Sequence, residues 1–183
     1  MNIVVIRHGE TDMNKEGRLQ GCKGENIGLN EHGHTQITVL QKFLDIEPTR
    51  IYASPLKRTQ ETALIINERF HVPIILVPAL IERDFGSLSG KRRSEIDPVL
   101  MLNDLEGHYD YRPFGGESVE DVRGRILEFL KTLKLESEET IIVVTHRGVI
   151  RILYDLYPQD VMPEMILPGT KHVFHITVLP QEN

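Results

Sequence analysis

The sequence has very little of several features on which whole classes of protein depend. It contains one cysteine in 183 residues, so no internal disulfide can form. No apolar run approaches the roughly 18 residues that a transmembrane helix needs. Asp and Glu (27) outnumber Lys and Arg (21), and the net charge of −6 argues against a surface that binds nucleic acid or anionic lipid.

Several familiar site motifs are also missing. No GxGxxG follows the first apolar run, and no GxSxG occurs. The GSLSGKR segment at 86–92 has one residue too few between its glycines for a P-loop, and an arginine follows its lysine. His172 and His175 fall on opposite faces of a predicted strand, while His32 and His34 have no acidic or thiolate ligands nearby. We therefore expect neither a metal nor another cofactor.

The composition is that of an ordinary globular protein. Hydrophobic residues make up 40% of the chain and charged residues 26%, and no linker, repeat or low-complexity tract divides the sequence. We expect one domain over residues 1–183. The first residues enter a strand without the basic and apolar regions of a signal peptide, so a cytoplasmic location is expected.

Short β-branched runs alternate with helical patterns along the chain. Strands are predicted at 2–6, 50–53, 73–77, 141–145 and 173–179. Helices are predicted at 37–44, 56–70, 119–133 and 149–156, and the irregular part is 87–116. The runs IVVI, IILV and IIVV do not alternate, which is typical of strands covered on both faces. This order predicts an α/β fold with three layers, α/β/α, around a mostly parallel open sheet whose last strand could be antiparallel.

Charged or imidazole side chains occur where four of these strands end. Arg7 and His8 follow the first strand, Arg58 the second, Glu82 the third and His146 the fourth. Open parallel sheets bind ligands at the carboxyl ends of their strands. Two guanidinium groups, two imidazoles and one carboxyl would together form a pocket for a doubly charged anion.

The same residues lie in segments that resemble the histidine phosphatase superfamily, the phosphoglycerate mutase-like proteins. The matching segments follow the order of that family from residue 6 to residue 151. They are IRHGETDMN (6–14), LNEHGHTQ (29–36), SPLKRTQETA (54–63), LIERDFGSLSG (80–90), FGGESVEDVRGR (114–125) and VVTHRGVIR (143–151).

The resemblance implies a phosphoglycerate mutase-like fold and a role for each matching residue. His8 would attack phosphorus and form a phosphohistidine, and Glu82 would act as general acid and then as base. The alternative for Glu82 is a helix-cap glutamate or one that forms a salt bridge with Arg83 or Arg92. His146 is the third catalytic residue. The residues expected to bind the phosphoryl group are Arg7, Asn14, Arg58 and, on weaker grounds, Thr145.

The leading hypothesis is a metal-independent phosphomonoesterase for a small phosphorylated metabolite. A phosphoglycerate mutase-type phosphotransferase is the close alternative, although the short segment at 91–114 favours hydrolysis. A non-catalytic module that binds a phosphorylated ligand is the third. Neither the substrate nor the oligomeric state is predicted.

The sequence departs from the family pattern at two positions. Arg147 replaces a usual glycine and lies either beside the pocket or toward solvent, and Cys22 replaces a large aromatic residue. Glu10 is expected to hold backbone amides or an arginine, and Gly9 to permit a tight turn. The residues predicted to line the mouth of the pocket are Arg18, Cys22, Lys23, Arg83, Asp84 and the segment 108–112.

Overall fold

A computed structural model describes residues 1–23, 26–133 and 138–179 of the chain. Strands and helices alternate along these residues. They are β1 (Asn2–Arg7), α1 (Asp12–Lys15), α2 (Glu31–Lys42), β2 (Pro48–Ala53), α3 (Lys57–Phe70), β3 (Ile74–Leu76), α4 (Pro98–Glu106), α5 (Val119–Lys131), β4 (Thr140–Thr145), α6 (Arg147–Leu156) and β5 (Lys171–His175). Short 3-10 turns lie at Pro78–Leu80, Gly86–Leu88, Arg93–Glu95 and Arg112–Phe114.

The strands form one sheet in the order β3-β2-β4-β1-β5. β1, β2, β3 and β4 run parallel, and β5 pairs antiparallel with β1 at the edge. The predicted mostly parallel sheet with an antiparallel last strand is confirmed. Because β4 lies between β1 and β2, the carboxyl ends of these three strands meet at one edge of the sheet.

Successive side chains of β1 point into two separate cores. Ile3 and Val5 pack with apolar residues of α5 and α6, whereas Val4 and Ile6 pack with apolar residues of α2 and α3. All four are buried because helices cover both faces of the strand. The three-layer arrangement is therefore confirmed, and it holds β1 and β4 rigidly at the centre of the molecule.

Two predicted strands differ from the structure. The IILV run was expected to be covered on both faces, but β3 is an edge strand with Ile75 and Leu76 exposed. β5 begins and ends earlier than predicted: it pairs with β1 from Lys171 opposite Ile6 to His175 opposite Asn2, and Ile176 donates its N–H to the Met1 carbonyl.

The segment expected to be irregular contains the helix α4. Asp97 caps it by accepting from the N–H groups of Val99 and Leu100, Pro98 occupies its first position, and Gly107 ends it in a left-handed conformation. Proline at the start and glycine just past the end is the usual asymmetry of a helix, so this signal was present in the sequence. No helix among the described residues is long and apolar enough to cross a membrane.

Candidate active site

One pocket lies at the carboxyl ends of the parallel strands. Arg7, His8, Asn14, Arg58 and Glu82 line it. Arg7 ends β1 and His8 follows it, Arg58 stands in the first turn of α3, and Glu82 follows the turn after β3. The pocket encloses only about 30 Å³, room for a group of a few atoms.

The ring of His8 is held in one tautomer. Its Nδ1 lies 2.7 Å from the carbonyl oxygen of Gly9. A carbonyl can only accept, so Nδ1 carries the proton and the neutral ring keeps a lone pair on Nε2. The side chain of His8 is buried, and the residue as a whole is 3% exposed. Its backbone N–H donates to the Thr145 carbonyl, which extends the pairing of β1 with β4. The ring is thus fixed with an unprotonated nitrogen available for reaction.

His146 is fully buried and is not among the residues that line the pocket, but its ring centroid lies 5.2 Å from that of His8. Its Nε2 is 2.8 Å from the hydroxyl oxygen of Ser54, a residue at the end of β2 that the sequence analysis did not assign to the site. Among the described residues, the buried Nδ1 of His146 has no hydrogen-bond partner. A hydroxyl donated by Ser54 would leave the proton of the neutral ring on Nδ1, as a donor.

Both imidazoles are kept neutral by their surroundings. Burial lowers the pKa of His8 and of His146 well below the ordinary value, and the nearby guanidinium of Arg58 lowers both further. Arg7 acts in the same direction. An unprotonated imidazole is the form that can act as a nucleophile.

The two pocket arginines are anchored by backbone carbonyls. Nη1 of Arg7 donates to Ile166 (2.6 Å) and Nη2 of Arg58 donates to Gly21 (2.9 Å). Burial lowers the pKa of Arg7 to about 9 and that of Arg58 to about 10, although the carboxylate of Glu82 offsets part of each effect. The pocket therefore has more positive charge than its own carboxylate neutralises, and an anion would stabilise it.

Two side-chain amides complete the inner pocket. Oδ1 of Asn14 accepts from the N–H of Thr11 (3.2 Å), which leaves its Nδ2 as a donor. Gln20 also lines the pocket, its Oε1 accepts from the Thr11 hydroxyl (3.0 Å), and its buried Nε2 has no partner among the described residues. Gln20 was missed in the sequence, where nothing distinguishes it from a surface glutamine.

Glu82 is fixed from two directions. Its Oε1 accepts from the backbone N–H of Arg83 (3.0 Å) and lies 3.4 Å from Nη1 of that residue, and its Oε2 accepts from the Gly148 N–H (3.3 Å). Nη2 of Arg83 in turn contacts Oδ1 of Asp104 at 2.6 Å. The carboxylate is thus both a pocket residue and a partner of Arg83, which combines the two roles that the sequence left open.

The departure at Arg147 has a clear structural setting. A Cβ on Gly148 would stand 2.2 Å from Oε1 of Glu82, so the second glycine of the family pattern is required for close approach. Arg147 itself lines the pocket, so of the two expected positions its side chain takes the one beside the pocket.

Thr145, Glu10 and Gly9 have contacts other than those expected. The Thr145 hydroxyl donates to the Leu80 carbonyl (2.8 Å), so in this arrangement it cannot donate to a phosphoryl oxygen. Glu10 accepts from Nδ2 of Asn30 (3.0 Å) instead of holding an arginine. Gly9 does not have a positive φ; a Cβ there would stand 2.7 Å from the Gly33 carbonyl, so close approach to α2 is the reason for glycine.

The predicted mouth is partly correct. Arg18 and Arg83 line the pocket, whereas Lys23 and Asp84 pair with each other at 3.5 Å outside it. Cys22 is partly buried, and burial, with Asp84 adding, raises the pKa of its thiol to about 11. His108 and Tyr109, in the segment 108–112, line a different cavity. Within the described ranges, no group of three or more His, Cys, Asp or Glu residues is placed to hold a metal ion.

Fold and pocket together define a class of protein: an α/β enzyme with an anion pocket at the ends of its parallel strands. The sequence model of one protein family, the histidine phosphatase superfamily (branch 1), matches residues 3–171. The chain belongs to this superfamily, and it is a phosphatase.

Curated and solved relatives agree with this family. The chain is 36% identical over 182 residues to the metal-independent phosphoserine phosphatase of Arabidopsis thaliana, covering 95% of this chain and 76% of that protein. It is 34% identical over 136 residues to the fructose-2,6-bisphosphatase TIGAR B of Danio rerio, a match that covers 72% of this chain and 52% of that protein. A mycobacterial glucosyl-3-phosphoglycerate phosphatase, solved in complex with VO3, superposes with a TM-score of 0.81 at 26% identity. The superposition covers 94% of this chain and 91% of that protein.

Proposed function

We propose that this protein is a metal-independent phosphomonoesterase that hydrolyses a small phosphorylated metabolite through a phosphohistidine on His8. The observation that carries the proposal is the tautomer of His8. Its Nδ1–H is donated to the Gly9 carbonyl, and burial beside two guanidinium groups keeps the ring neutral, so Nε2 has a lone pair for phosphorus.

In the first step, Nε2 of His8 attacks phosphorus and the bond from phosphorus to the ester oxygen breaks. Glu82, which takes up a proton from solvent when the anionic ester binds beside it, gives that proton to the departing alcohol. Arg7, Arg58 and the amide of Asn14 bind the phosphoryl oxygens, where negative charge is stabilised by donors that are already in place. With the Ser54 hydroxyl donating to Nε2 of His146, the Nδ1–H of that ring would be a further donor.

In the second step, water replaces the alcohol. Glu82, now a carboxylate, takes a proton from the water, whose oxygen attacks phosphorus while the bond to Nε2 of His8 breaks. Inorganic phosphate leaves and the enzyme returns to its starting state. The short segment between Glu82 and α5 leaves the site open to water, which favours hydrolysis over transfer to a second hydroxyl.

The relatives support the same reaction class. The Arabidopsis relative is named a metal-independent phosphoserine phosphatase, and the other two are named for phosphorylated sugars or sugar acids. Vanadate resembles a phosphoryl group, and the solved neighbour is a complex with VO3. We therefore expect vanadate to inhibit this enzyme competitively.

The proposal is tested by trapping the intermediate. Purified enzyme is mixed with a phosphate ester labelled with ³²P, quenched with alkali, and analysed for an acid-labile, base-stable adduct by peptide mapping. We expect the label on His8. The His8→Asn variant should lose the adduct and lower phosphate release on the order of 10⁴-fold or more. His32→Asn, a change at an exposed histidine of α2, is the matched control and should keep both.

Three outcomes would contradict the proposal. Activity lost in EDTA and restored by a divalent ion would show a metal-dependent reaction. Interconversion of phosphate isomers that requires a bisphosphate primer would show a mutase. Tight binding of phosphate esters without release of phosphate would show a module that only binds.

A further inference from the structure

A second cavity opens directly outside the inner pocket. It encloses about 480 Å³, against about 30 Å³ for the inner pocket. The residues that line both are Arg7, Asn14, Arg18, Arg93 and Arg147. A phosphoryl group in the inner pocket would therefore place the rest of the metabolite in the outer cavity, between these shared arginines.

Arg147 is placed where helix stability does not favour a cation. It is the first residue of α6, whose first turn contains no acidic residue, and the positive end of a helix dipole disfavours a guanidinium group. Its side chain makes no hydrogen bond or ion pair with another described residue. Burial, with Arg93 and Arg83 nearby, lowers its pKa to about 10. The nearest attracting carboxylate, Asp104, is already paired with Arg83 at 2.6 Å, so neither the helix nor a direct ion pair explains this arginine.

Arg93 reaches the same cavity from another part of the chain. Its N–H donates to the Gly17 carbonyl (2.9 Å), and the Leu19 N–H donates to the Lys91 carbonyl (2.9 Å), so two backbone contacts fix this segment beside the loop that follows α1. The Arg93 side chain is exposed, lines both cavities and, like Arg147, has no partner among the described residues.

The other charged residues of the outer wall differ from this pair. Arg18 is already paired with Glu16 (2.5 Å) and also donates to the Gly90 carbonyl (2.9 Å). Glu10 is held by Asn30, and the second carboxylate of this wall is Glu164. The outer wall therefore has four arginines (Arg7, Arg18, Arg93 and Arg147) against two carboxylates, and neither Arg93 nor Arg147 makes a direct ion pair with a described residue. Such an arrangement favours the binding of a carboxylate or a phosphate.

We propose that Arg93 and Arg147 form a second anion subsite, and that the preferred substrates are phosphomonoesters with a second anionic group, a carboxylate or a further phosphate. This inference rests on the proposed function, because it names the substrate class of the same site. Phosphoesters whose remainder is neutral would lack this contact and be poorer substrates.

The test compares substrates that differ only in the second anion. Glycerol 3-phosphate is compared with 3-phosphoglycerate for the carboxylate, and fructose 6-phosphate with fructose 1,6-bisphosphate for the phosphate. In at least one pair we expect kcat/KM to favour the anionic member about tenfold or more, and that pair identifies the anion. Arg93→Gln and Arg147→Gln should each reduce this ratio about tenfold, equivalent to about 1.4 kcal/mol.

Arg92→Gln is the matched control, since Arg92 is a neighbouring arginine that lines neither cavity. It removes the same charge and should leave the ratio unchanged. The same pairs are titrated calorimetrically into the His8→Asn variant, so the subsite is measured even without turnover. Equal affinities within both pairs, or ratios that Arg93→Gln and Arg147→Gln leave unchanged, would overturn the subsite. Preferential binding with no hydrolysis by the wild type would overturn only the proposed function.

Discussion

Glu82 lies between two groups of charged residues that differ in how their charge is balanced: Arg83 with Asp104 on one side, and the pocket arginines Arg7 and Arg58 on the other. Arg83 has two carboxylates: Asp104 contacts it at 2.6 Å and Glu82 at 3.4 Å. Burial opposes its charged form, yet these carboxylates raise the pKa of Arg83. On the other side of Glu82, burial lowers the pKa of Arg7 to about 9. Matched charge holds the structure together, whereas the excess of positive charge is left for a ligand.

Breaking the matched cluster should cost the most stability. Asp104→Ala leaves the fully buried guanidinium of Arg83 without its closest carboxylate, and we expect the free energy of unfolding to fall by about 3 to 5 kcal/mol. Urea denaturation measures this change. The double variant Arg83→Met, Asp104→Leu should recover part of the loss because it removes both charges of the pair, although Glu82 then loses its contact with Arg83. A single variant as stable as the wild type would show that the pair is not structural.

Removing a charge from the pocket arginines should lower activity and leave stability unchanged or higher. Arg7→Gln should lower kcat/KM by about 10² to 10³, since one preorganised donor to the phosphoryl group is lost. We expect no decrease in Tm, because the site then contains one fewer desolvated cation. Steady-state kinetics and thermal unfolding of the same sample test both statements. A variant that loses stability but keeps kcat/KM would reverse the comparison.

The two buried histidines of the site also predict that stability depends on pH. His8 and His146 have folded-state pKa values well below the ordinary value of about 6.5, chiefly through burial. As pH falls below about 6.5, the unfolded chain binds protons that the folded protein does not. Stability is therefore lost, by up to about 1.4 kcal/mol per pH unit for each histidine, until the folded-state pKa values are reached.

Urea denaturation between pH 7.5 and 5.5 measures this slope. The double variant His8→Asn, His146→Asn should lose the contribution of these two rings and keep that of His172, whose pKa burial lowers to about 4. The control His32→Asn, at an exposed position, should keep the wild-type slope. An unchanged slope in the double variant would mean that these rings accept protons in the folded state.

An exposed ion pair provides the smallest effect of the series. Glu16 and Arg18 approach to 2.5 Å, which is as close as the buried pair, but both side chains are exposed to water. Solvent screening and the ordering of two long side chains offset most of the attraction. Glu16→Gln should therefore leave Tm within experimental error of the wild type. A clear decrease would show that distance, and not burial, decides which ion pairs stabilise this fold.

The sequence predicts best what depends on local pattern. The unbroken apolar runs of β1 and β4 indicated central strands, and the charged residues that follow them indicated the edge where the pocket lies. Arg7, His8, Asn14, Arg58 and Glu82 do line one pocket. The helix α4 could also have been predicted, because Pro98 and Gly107 mark its two ends.

The remaining features depend on contacts between distant parts of the chain. The partner of the Thr145 hydroxyl is a carbonyl 65 residues away, and Arg83 finds Asp104 across a segment without a regular pattern. The exposure of β3 follows from its place at the sheet edge, which its apolar residues do not reveal. The wall of the outer cavity at 164–168 comes from the loop before β5, which no local signal connects to His8.

The position of β1 between β4 and β5 has a consequence for synthesis on the ribosome. β1 is made well before its two neighbours, which come from residues 140–175. At about 5 to 20 residues per second, the nascent chain carries this apolar strand with both edges unpaired for on the order of 10 s. The backbone N–H of His8 meets its partner, the Thr145 carbonyl, only after residue 145 has been made. Until then the pairing that fixes His8 cannot form, and the nascent chain exposes an apolar strand-forming segment.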